Sequence, residues 1–315
     1  MGKLIQKSPP HFFPVLVFSL IFFPACEKKE AQNDEGLKPG NYARTLTVDG
    51  RARTFRLHVP LGYSEKTALP LVVALHGGGG TGAEMETLTG FSQLSDRENF
   101  IVAYPDGFLD NRWADGRGTT APDLAGINDV TFISSLIDEI GRLVKIESRR
   151  VYVCGISNGS MFVNFLACEL SGRIAAIGGV SGQLAEIKKT LRPAAPLGVI
   201  YFHGTADPAV PYNGGTVAGP NAGEVLSTAE LMAFWVGVDA ANPVPATEFL
   251  PDTDPADGTR VIRFTFSGGR DGTQVHLYRI ENGGHTWPGS NSPGSVCRDI
   301  NATELIWGFF KTQSK

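Results

Sequence analysis

Cysteine is scarce in this sequence, with four residues in 315. The chain also has no H-E-x-x-H pair, no paired C-x-x-C and no Walker glycine loop, so the sequence predicts no metal site. Positive charge is not in excess, because 28 Lys and Arg stand against 32 Asp and Glu. A net charge of −4 without a basic stripe argues against nucleic acid as a partner.

A long apolar run is missing as well. The run from Phe12 to Phe23 is too short for a comfortable membrane-spanning helix. It follows Lys3 and Lys7 and precedes a small residue and Cys26, which is typical of a secretory signal with a bacterial lipoprotein cleavage site. The alternative is a plain secretory signal cut nearby, in which Cys26 is incidental.

The N-terminal pattern therefore predicts a signal peptide over 1–25, a lipidated Cys26 and a polar tether over 26–40. The expected location is extracytoplasmic, as a lipoprotein of the periplasm or outer membrane, or otherwise secreted. The only membrane contact that we expect is through this N-terminal lipid.

The remaining chain, 41–315, has the composition of a globular domain. Hydrophobic residues make up 42% of the sequence and charged residues 19%. A single domain of this length can bury a large core, and the sequence has no internal repeat and no clear second domain.

The elements of this domain are indicated by the spacing of its apolar residues. Alternation over 42–60 around Asp49-Gly50 predicts a hairpin at an antiparallel edge. Continuous or alternating apolar runs predict strands at 70–75, 100–104, 174–180, 197–202, 261–266 and 275–280. Helical patterns occur at 85–97, 224–238 and 302–311, and after Asn128-Asp129. Strands alternating with helices predict an α/β fold, a mainly parallel sheet covered on both faces.

One stretch carries a nucleophile motif. The apolar run Val151-Tyr152-Val153 leads into Gly155-Ile156-Ser157-Asn158-Gly159, and a helical pattern follows directly. This is G-x-S-x-G between a strand and a helix, in which glycines leave room for a strained turn that exposes the serine hydroxyl. The sequence predicts Ser157 as a nucleophile, with an ordinary strand–helix turn as the alternative.

A serine nucleophile needs a general base, and His285 is the candidate. It lies far downstream of Ser157 in the glycine-flanked loop Gly283 to Gly289. The alternative for His285 is a loop histidine beside a packed tryptophan. The other histidines are assigned to the signal (His11), to alternating strands (His58, His276) or to the shape of loops (His76, His203).

The base needs an acid, and Asp207 is the candidate. It comes just after the buried strand over 197–202, where active-site groups gather in open α/β sheets. It also falls between serine and histidine in the chain, as this type of triad requires. Asp271 is the rival but resembles a hairpin turn, and Asp129 precedes the serine and resembles a helix cap.

The oxyanion donors are predicted on backbone N–H groups. One is that of Asn158, after the nucleophile, and the other belongs to the glycine loop at 76–80, with Gly78 first and Gly79 second. The alternative is that the glycine loop is only a flexible turn. Trp113, Tyr212 and Trp287 are candidates to stack an aromatic acyl group or a sugar ring, with packing as the alternative.

Three cysteines remain besides Cys26. Cys154 lies in the apolar strand before Ser157 and is expected to be a buried small hydrophobe. In an oxidising compartment Cys168 and Cys297 are candidates for a disulfide bond.

Five motifs appear in order along the chain: Leu75-His76-Gly77-Gly78-Gly79, Tyr104-Pro105-Asp106-Gly107, Gly155-Ile156-Ser157-Asn158-Gly159, His203-Gly204-Thr205-Ala206-Asp207 and Gly284-His285-Thr286-Trp287-Pro288-Gly289. Together they resemble the esterase family that includes polyhydroxybutyrate depolymerases, feruloyl esterases and acetylxylan esterases. The resemblance implies an α/β-hydrolase fold, no cofactor and a Ser157–Asp207–His285 triad. Many relatives carry a further cysteine pair that this chain lacks around Ala240 and Gly269, so the shape of 212–269 is not predicted.

The function that we expect is an extracytoplasmic serine esterase. Its expected substrates are feruloyl or acetyl esters of plant polysaccharide, or short hydroxyalkanoate esters. One alternative is a polyhydroxybutyrate or oligomer depolymerase, although the chain has no separate polymer-binding module. Another is an acyltransferase with the same triad, and a third is a catalytically silent surface-binding protein.

Overall fold

The computed structural model describes residues 1–4, 36–292 and 294–315. The predicted lipidation site, Cys26, and almost all of the predicted signal and tether lie outside these residues. Contacts divide the chain into a unit 1–34 and a unit 35–315, and the fold below is that of the second unit. None of the helices in the described ranges is long and apolar enough to cross a membrane.

Ten strands form one sheet, in the order β1-β2-β4-β3-β5-β6-β7-β12-β11-β10. A separate two-stranded sheet pairs β8 with β9. The strands are β1 Gly40–Val48, β2 Arg51–Val59, β3 Leu69–Leu75, β4 Ile101–Pro105, β5 Ile146–Ile156, β6 Ala176–Val180, β7 Gly198–Gly204, β8 Gly215–Thr216, β9 Glu224–Val225, β10 Ala246–Phe249, β11 Arg260–Phe266 and β12 Val275–Glu281.

The helices are α1 Gly82–Thr89, α2 Phe91–Glu98, α3 Ala121–Leu124, α4 Asp129–Leu143, α5 Asn158–Glu169, α6 Thr228–Asp239 and α7 Ala302–Phe310. Alternate residues of the central strands enter two different hydrophobic clusters, as in Val73 and Val153 against Val72 and Tyr152. Because successive side chains of a strand point to opposite faces, the sheet has a packed core on each face.

The sheet is parallel in its middle and antiparallel at both edges. β4, β3, β5, β6, β7 and β12 pair in parallel. The predicted hairpin is confirmed, since β1 pairs with β2 around Asp49 and Gly50 and β2 pairs antiparallel with β4. A second antiparallel edge, β12-β11-β10, was not expected from the sequence.

Two predicted helices have wrong boundaries. The helix expected over 85–97 is two helices, because Gly90 adopts left-handed backbone angles (φ 63°, ψ 21°) and ends α1. The helix expected over 224–238 begins at Thr228, after a capping box in which the Ser227 and Glu230 side chains each bond the other residue's backbone N–H. Glu224 and Val225 instead form β9.

The proposed disulfide bond is also wrong. Cys168 and Cys297 are buried free thiols, as is Cys154. Cys168 packs in the same cluster as Val73, whereas Cys297 packs in the other, with Val72. The two sulfurs therefore lie in cores on opposite faces of the sheet, which explains why they do not pair.

Candidate active site

Ser157 occupies a strained turn between β5 and α5. Its backbone angles are φ 56° and ψ −125°, which an L-residue adopts rarely. The turn needs glycine at Gly159, because a Cβ there would lie 2.5 Å from the Leu75 carbonyl oxygen and collide with that of His76. At Gly155 a Cβ would lie 2.9 Å from the same Leu75 oxygen. The glycine spacing of the motif therefore allows β5 and α5 to pack against the end of β3.

Asp207 and His285 meet at the ends of two adjacent strands. β7 and β12 are parallel neighbours, so the loops that follow them leave the same edge of the sheet. His285 Nδ1 lies 2.8 Å from Asp207 Oδ2. Asp207 Oδ1 accepts hydrogen bonds from the N–H groups of Ala209 and Val210, both at 2.8 Å. The carboxylate is thus fixed on one oxygen and bonded to the imidazole on the other.

The surroundings of Asp207 favour its charged form. Burial alone would raise the pKa of this carboxyl. The nearby His203 and His285 rings and the Val210 N–H outweigh burial and hold the pKa well below its usual range. An ionised Asp207 accepts a hydrogen bond from the Nδ1–H group of His285, which leaves the lone pair on Nε2.

Ser157 and His285 line the same cleft, whose volume is about 1020 Å³. In the part of the chain that the structure describes, the Ser157 hydroxyl forms no hydrogen bond with His285. The cleft walls are the glycine loop (Gly77, Gly78), α1 and the loop over 289–292. Sequence reasoning missed these last two walls, although α1 follows the glycine loop directly and 289–292 follows the His285 motif.

The glycine loop lies against Ser157. A Cβ on Gly77 would be 3.4 Å from Ser157 Cβ, and one on Gly78 would collide with Arg112 Nη1. Gly79 N–H donates to Asn111 O at 2.9 Å, so its donor is already used. Among the described residues the N–H groups of Gly78 and Asn158 donate to no acceptor. Both free donors therefore border the nucleophile.

The histidines that were assigned to loop shape have that role. His76 Nδ1 lies 2.7 Å from Gly77 O, and its Nε2 accepts from the Gly107 N–H at 2.9 Å. Burial lowers the pKa of His76, consistent with a neutral ring. His203 bonds Val210 O through Nε2 at 3.0 Å and thereby holds the loop that carries Asp207.

Within the described residues, the two rival candidates for the acid, Asp129 and Asp271, do not bond His285. Asp129 forms a buried ion pair with Arg53 at 2.7 Å, and its second oxygen accepts from the Ala114 N–H. The helix cap at this point is Asn128, whose side chain accepts from the Thr131 N–H. Asp271 lies in an exposed turn with φ 55°.

The aromatic residues predicted to bind substrate do not line the cleft. Trp113 is fully buried, donates through Nε1 to His76 O at 2.9 Å and stacks on Phe162. Trp287 is buried too, and its Nε1 donates to Thr303 Oγ1 at 3.0 Å. Tyr212 lines a different pocket, of about 320 Å³, between α6 and the strands β11 and β12. The prediction is wrong for both tryptophans, because their rings have no surface left for a ligand.

One group of side chains in the described ranges has the composition of a cation site. The ligand atoms of Asp257, Cys297 and Asp299 lie within 4.8 Å of one another, outside the Ser157 cleft. Both carboxylates already bind loop backbone: Asp257 accepts from two N–H groups and Asp299 from two others. These bonds indicate that the two carboxylates hold the loops together. The spacing of the three residues in the sequence gives no sign of the cluster.

Comparison with known proteins gives consistent matches. A family profile described as Esterase PHB depolymerase matches residues 54–208. NocK of Nocardia uniformis subsp. tsuyamanensis, which is named as an esterase, is 31% identical over 283 residues, covering 85% of this chain and 81% of NocK. Feruloyl esterase B of Piromyces equi is 31% identical over 162 residues, covering 50% of this chain and 29% of that protein.

Among solved structures, an acetyl xylan esterase from Aspergillus awamori aligns with a TM-score of 0.58. The alignment covers 86% of this chain and 99% of the other, at 18% sequence identity. At this identity the likeness shows a shared fold.

Proposed function

The chain belongs to the PHB depolymerase family of esterases, and from this premise we propose that Ser157, His285 and Asp207 are its catalytic triad. It is a carboxylic ester hydrolase with the α/β-hydrolase fold. In the proposed reaction His285 Nε2 takes the Ser157 proton as the hydroxyl oxygen attacks the ester carbonyl carbon. The same proton then goes to the leaving alcohol, and water hydrolyses the acyl-enzyme by the reverse sequence.

The observation that carries this proposal is the 2.8 Å contact between His285 Nδ1 and Asp207 Oδ2, beside a strained Ser157 in the same cleft. The carboxylate orients the imidazole and stabilises its charged form during proton transfer. The backbone N–H groups of Gly78 and Asn158 are the proposed oxyanion donors, supported by their lack of another acceptor among the described residues.

The test of the triad is the substitution Ser157→Ala. It removes the attacking oxygen, so turnover of p-nitrophenyl acetate should fall by about four to six orders of magnitude. The matched control is Ser148→Ala, an exposed serine earlier on the same strand β5, which should keep wild-type turnover. Near-wild-type hydrolysis by the Ser157→Ala variant would contradict the assignment.

We propose that the substrates are feruloyl or acetyl esters of plant polysaccharide, or short hydroxyalkanoate esters. Relatives named feruloyl esterase, acetylxylan esterase and poly(3-hydroxyalkanoate) depolymerase support this range. The cleft mixes apolar Met85 and Leu88 with polar Thr87 and Asn291, which suits an ester that joins an apolar acyl group to a hydroxylated alcohol. Comparison of kcat/KM on methyl ferulate, acetylated xylose and a hydroxybutyrate dimer tests the range, and activity on none of them would exclude it.

We propose that the enzyme acts outside the cytoplasm, anchored through a lipid on Cys26. The support is the basic and apolar pattern over 1–25 directly before this cysteine. A lipid at this position would keep the esterase domain near a membrane surface.

A further inference from the structure

The two proposed oxyanion donors belong to separate parts of the chain. Gly78 follows β3, whereas Asn158 opens α5. Donors of this kind act only when both point at the same oxygen, so some group must fix one segment relative to the other. The glycine loop cannot do this by itself, since it has few side chains to pack.

Trp113 contacts the first of these segments through its side chain. Its indole Nε1 donates to His76 O at 2.9 Å, on the residue at which the glycine loop begins. The ring centroids of Trp113 and His76 lie 5.0 Å apart. The indole also stacks on Phe162 of α5, with centroids 5.5 Å apart and planes at 10°.

Trp113 contacts the second segment through its backbone. Its N–H donates to Asn158 Oδ1 at 2.9 Å, and Asn158 Nδ2 donates to the Trp113 carbonyl oxygen at 3.2 Å. The two bonds pair the Asn158 side-chain amide with the backbone N–H and carbonyl groups of Trp113. The backbone of the proposed donor residue is thereby tied to that loop.

A buried ion pair completes the attachment. Asn158 Nδ2 donates a second bond to Asp115 Oδ2 at 2.7 Å, and Arg117 Nη2 lies 2.8 Å from the same oxygen. Asp115 and Arg117 are both buried, so the pair is shielded from solvent and rigid. All polar atoms of the Asn158 amide have partners, which leaves this side chain one orientation.

We infer that Trp113 is a positioning residue that holds the N–H groups of Gly78 and Asn158 in register on one oxyanion. The inference rests on the proposed function. It assigns Trp113 a role in the reaction that does not require contact with the substrate. Loss of the indole N–H removes the bond that ties the start of the glycine loop to the Trp113 loop, and the Gly78 N–H then shifts relative to that of Asn158. The transition state then loses stabilisation that the ground-state ester never received.

The test is Trp113→Phe, which removes Nε1–H and keeps an aromatic ring against Phe162. We expect kcat to fall by about 10- to 100-fold with KM changed by less than about threefold, since a displaced oxyanion donor costs less than a deleted one. Affinity for a trifluoromethyl ketone, which forms a tetrahedral oxyanion on the serine, should fall by the same factor as kcat.

The matched control is Trp235→Phe. Trp235 is equally buried, and its Nε1 donates to Asn164 Oδ1 at 2.8 Å and not to the glycine loop. It should lose comparable thermal stability without a comparable loss of kcat. Equal kcat losses in the two variants, or a Trp113→Phe effect on KM alone, would overturn the inference.

A second variant, Asn158→Ala, breaks the backbone side of the same attachment and keeps the Asn158 N–H. It should lower kcat and ketone affinity in the same ratio, and the double variant should lose less than the product of the two single losses, because both act on one geometry. If Trp113→Phe does not fold, Asn158→Ala alone decides the question, since an effect on KM alone or unequal losses of kcat and ketone affinity would overturn the inference. Where both single variants fold, independent, multiplicative losses would contradict a shared role.

Failure of this inference is separate from failure of the triad. A fluorophosphonate probe should label Ser157 in the wild type, in Trp113→Phe and in Trp235→Phe. If the wild type is labelled and Ser157→Ala is inactive while Trp113→Phe matches its control, only the positioning role is wrong. If Ser157 is not labelled at all, the proposed function itself is wrong.

Discussion

Asp239 is a single carboxyl whose surroundings oppose its charge. It is fully buried at the end of α6, and Oδ1 accepts from the Leu197 N–H at 3.1 Å. Within the described residues Oδ2 is buried without a hydrogen-bond partner. Burial raises the pKa of Asp239 to about 6. The folded state thus binds its proton more tightly than the unfolded chain does.

This shift fixes the sign of a pH effect on stability. Between pH 4 and pH 6 the native state holds more protons at Asp239 than the unfolded state, so stability falls as the pH rises through this window. The cost is at most about 3 kcal/mol, from about two pKa units at 1.36 kcal/mol each. The variant Asp239→Asn cannot ionise and should lack this decrease.

Urea unfolding from pH 4 to about pH 8 measures the difference in the free energy of unfolding between wild type and Asp239→Asn. We expect the variant to gain relative stability across pH 4 to 6 and the difference to be level above pH 7. A difference that is constant over the whole range would show that Asp239 ionises normally in the folded protein.

The positions of candidate site residues were predictable where a motif fixes both identity and surroundings. Ser157, Asp207 and His285 follow strands in the required order, and the sequence alone brought Asp207 and His285 forward as partners. Burial was not predictable for Trp113 and Trp287, because a tryptophan in a glycine-rich loop looks the same whether its ring faces a ligand or another ring. Only contacts with Phe162 and Thr303 settle that question.

At the scale of elements, one glycine inside a helix and one at a helix end offer opposite tests. Gly237 is exposed within α6, and an added Cβ there meets nothing within 4 Å. Gly237→Ala should therefore raise the free energy of unfolding by about 0.5–1 kcal/mol, since alanine loses less backbone entropy on folding. Gly90 lies between α1 and α2 and has a φ of 63°. Gly90→Ala should therefore lower the free energy of unfolding by about 1 kcal/mol.

Thermal unfolding followed by circular dichroism compares these two variants with the wild type. The Gly237→Ala midpoint should rise by about 1–3 °C. A fall for Gly237→Ala, or no fall for Gly90→Ala, would contradict the backbone assignments of α6 and of the α1–α2 junction.

Strands were more predictable than helix ends. A buried strand such as β3 is a continuous apolar run that needs no tertiary knowledge to recognise. The break at Gly90 was missed, because one glycine within a helical pattern does not by itself reveal its φ angle. The start of α6 was also missed, although Ser227 and Glu230 have capping-box spacing that could have located it.

At the scale of the whole molecule, the proposed lipid anchor makes a prediction about Cys26. Radiolabelled palmitate should enter the full-length protein in a bacterial host and should not enter Cys26→Ser. Cys168→Ser is the matched control, because Cys168 is a buried free thiol, and this variant should label like the wild type. Equal labelling of Cys26→Ser, or no label in the wild type, would exclude the anchor.

Strand order could not be derived from the sequence. Alternating strands and helices predicted a parallel sheet but not that β12 returns beside β7, which depends on pairing over a long chain separation. For the same reason the cleft walls from α1 and 289–292 were not predicted. The whole-molecule arrangement decides which loops share a cleft, and local patterns do not contain it.

The pairing of β7 with β12 has a consequence for how this enzyme can diversify. Asp207 and His285 are held by adjacent strands, while much of the chain between them leaves the sheet. The small hairpin of β8 and β9 in this excursion is mostly exposed and pairs outside the ten-stranded sheet. Because β7 and β12 set the distance between Asp207 and His285, replacement of the exposed residues of that hairpin should leave this distance unchanged if Val217 and Val225 keep their buried packing with Val210.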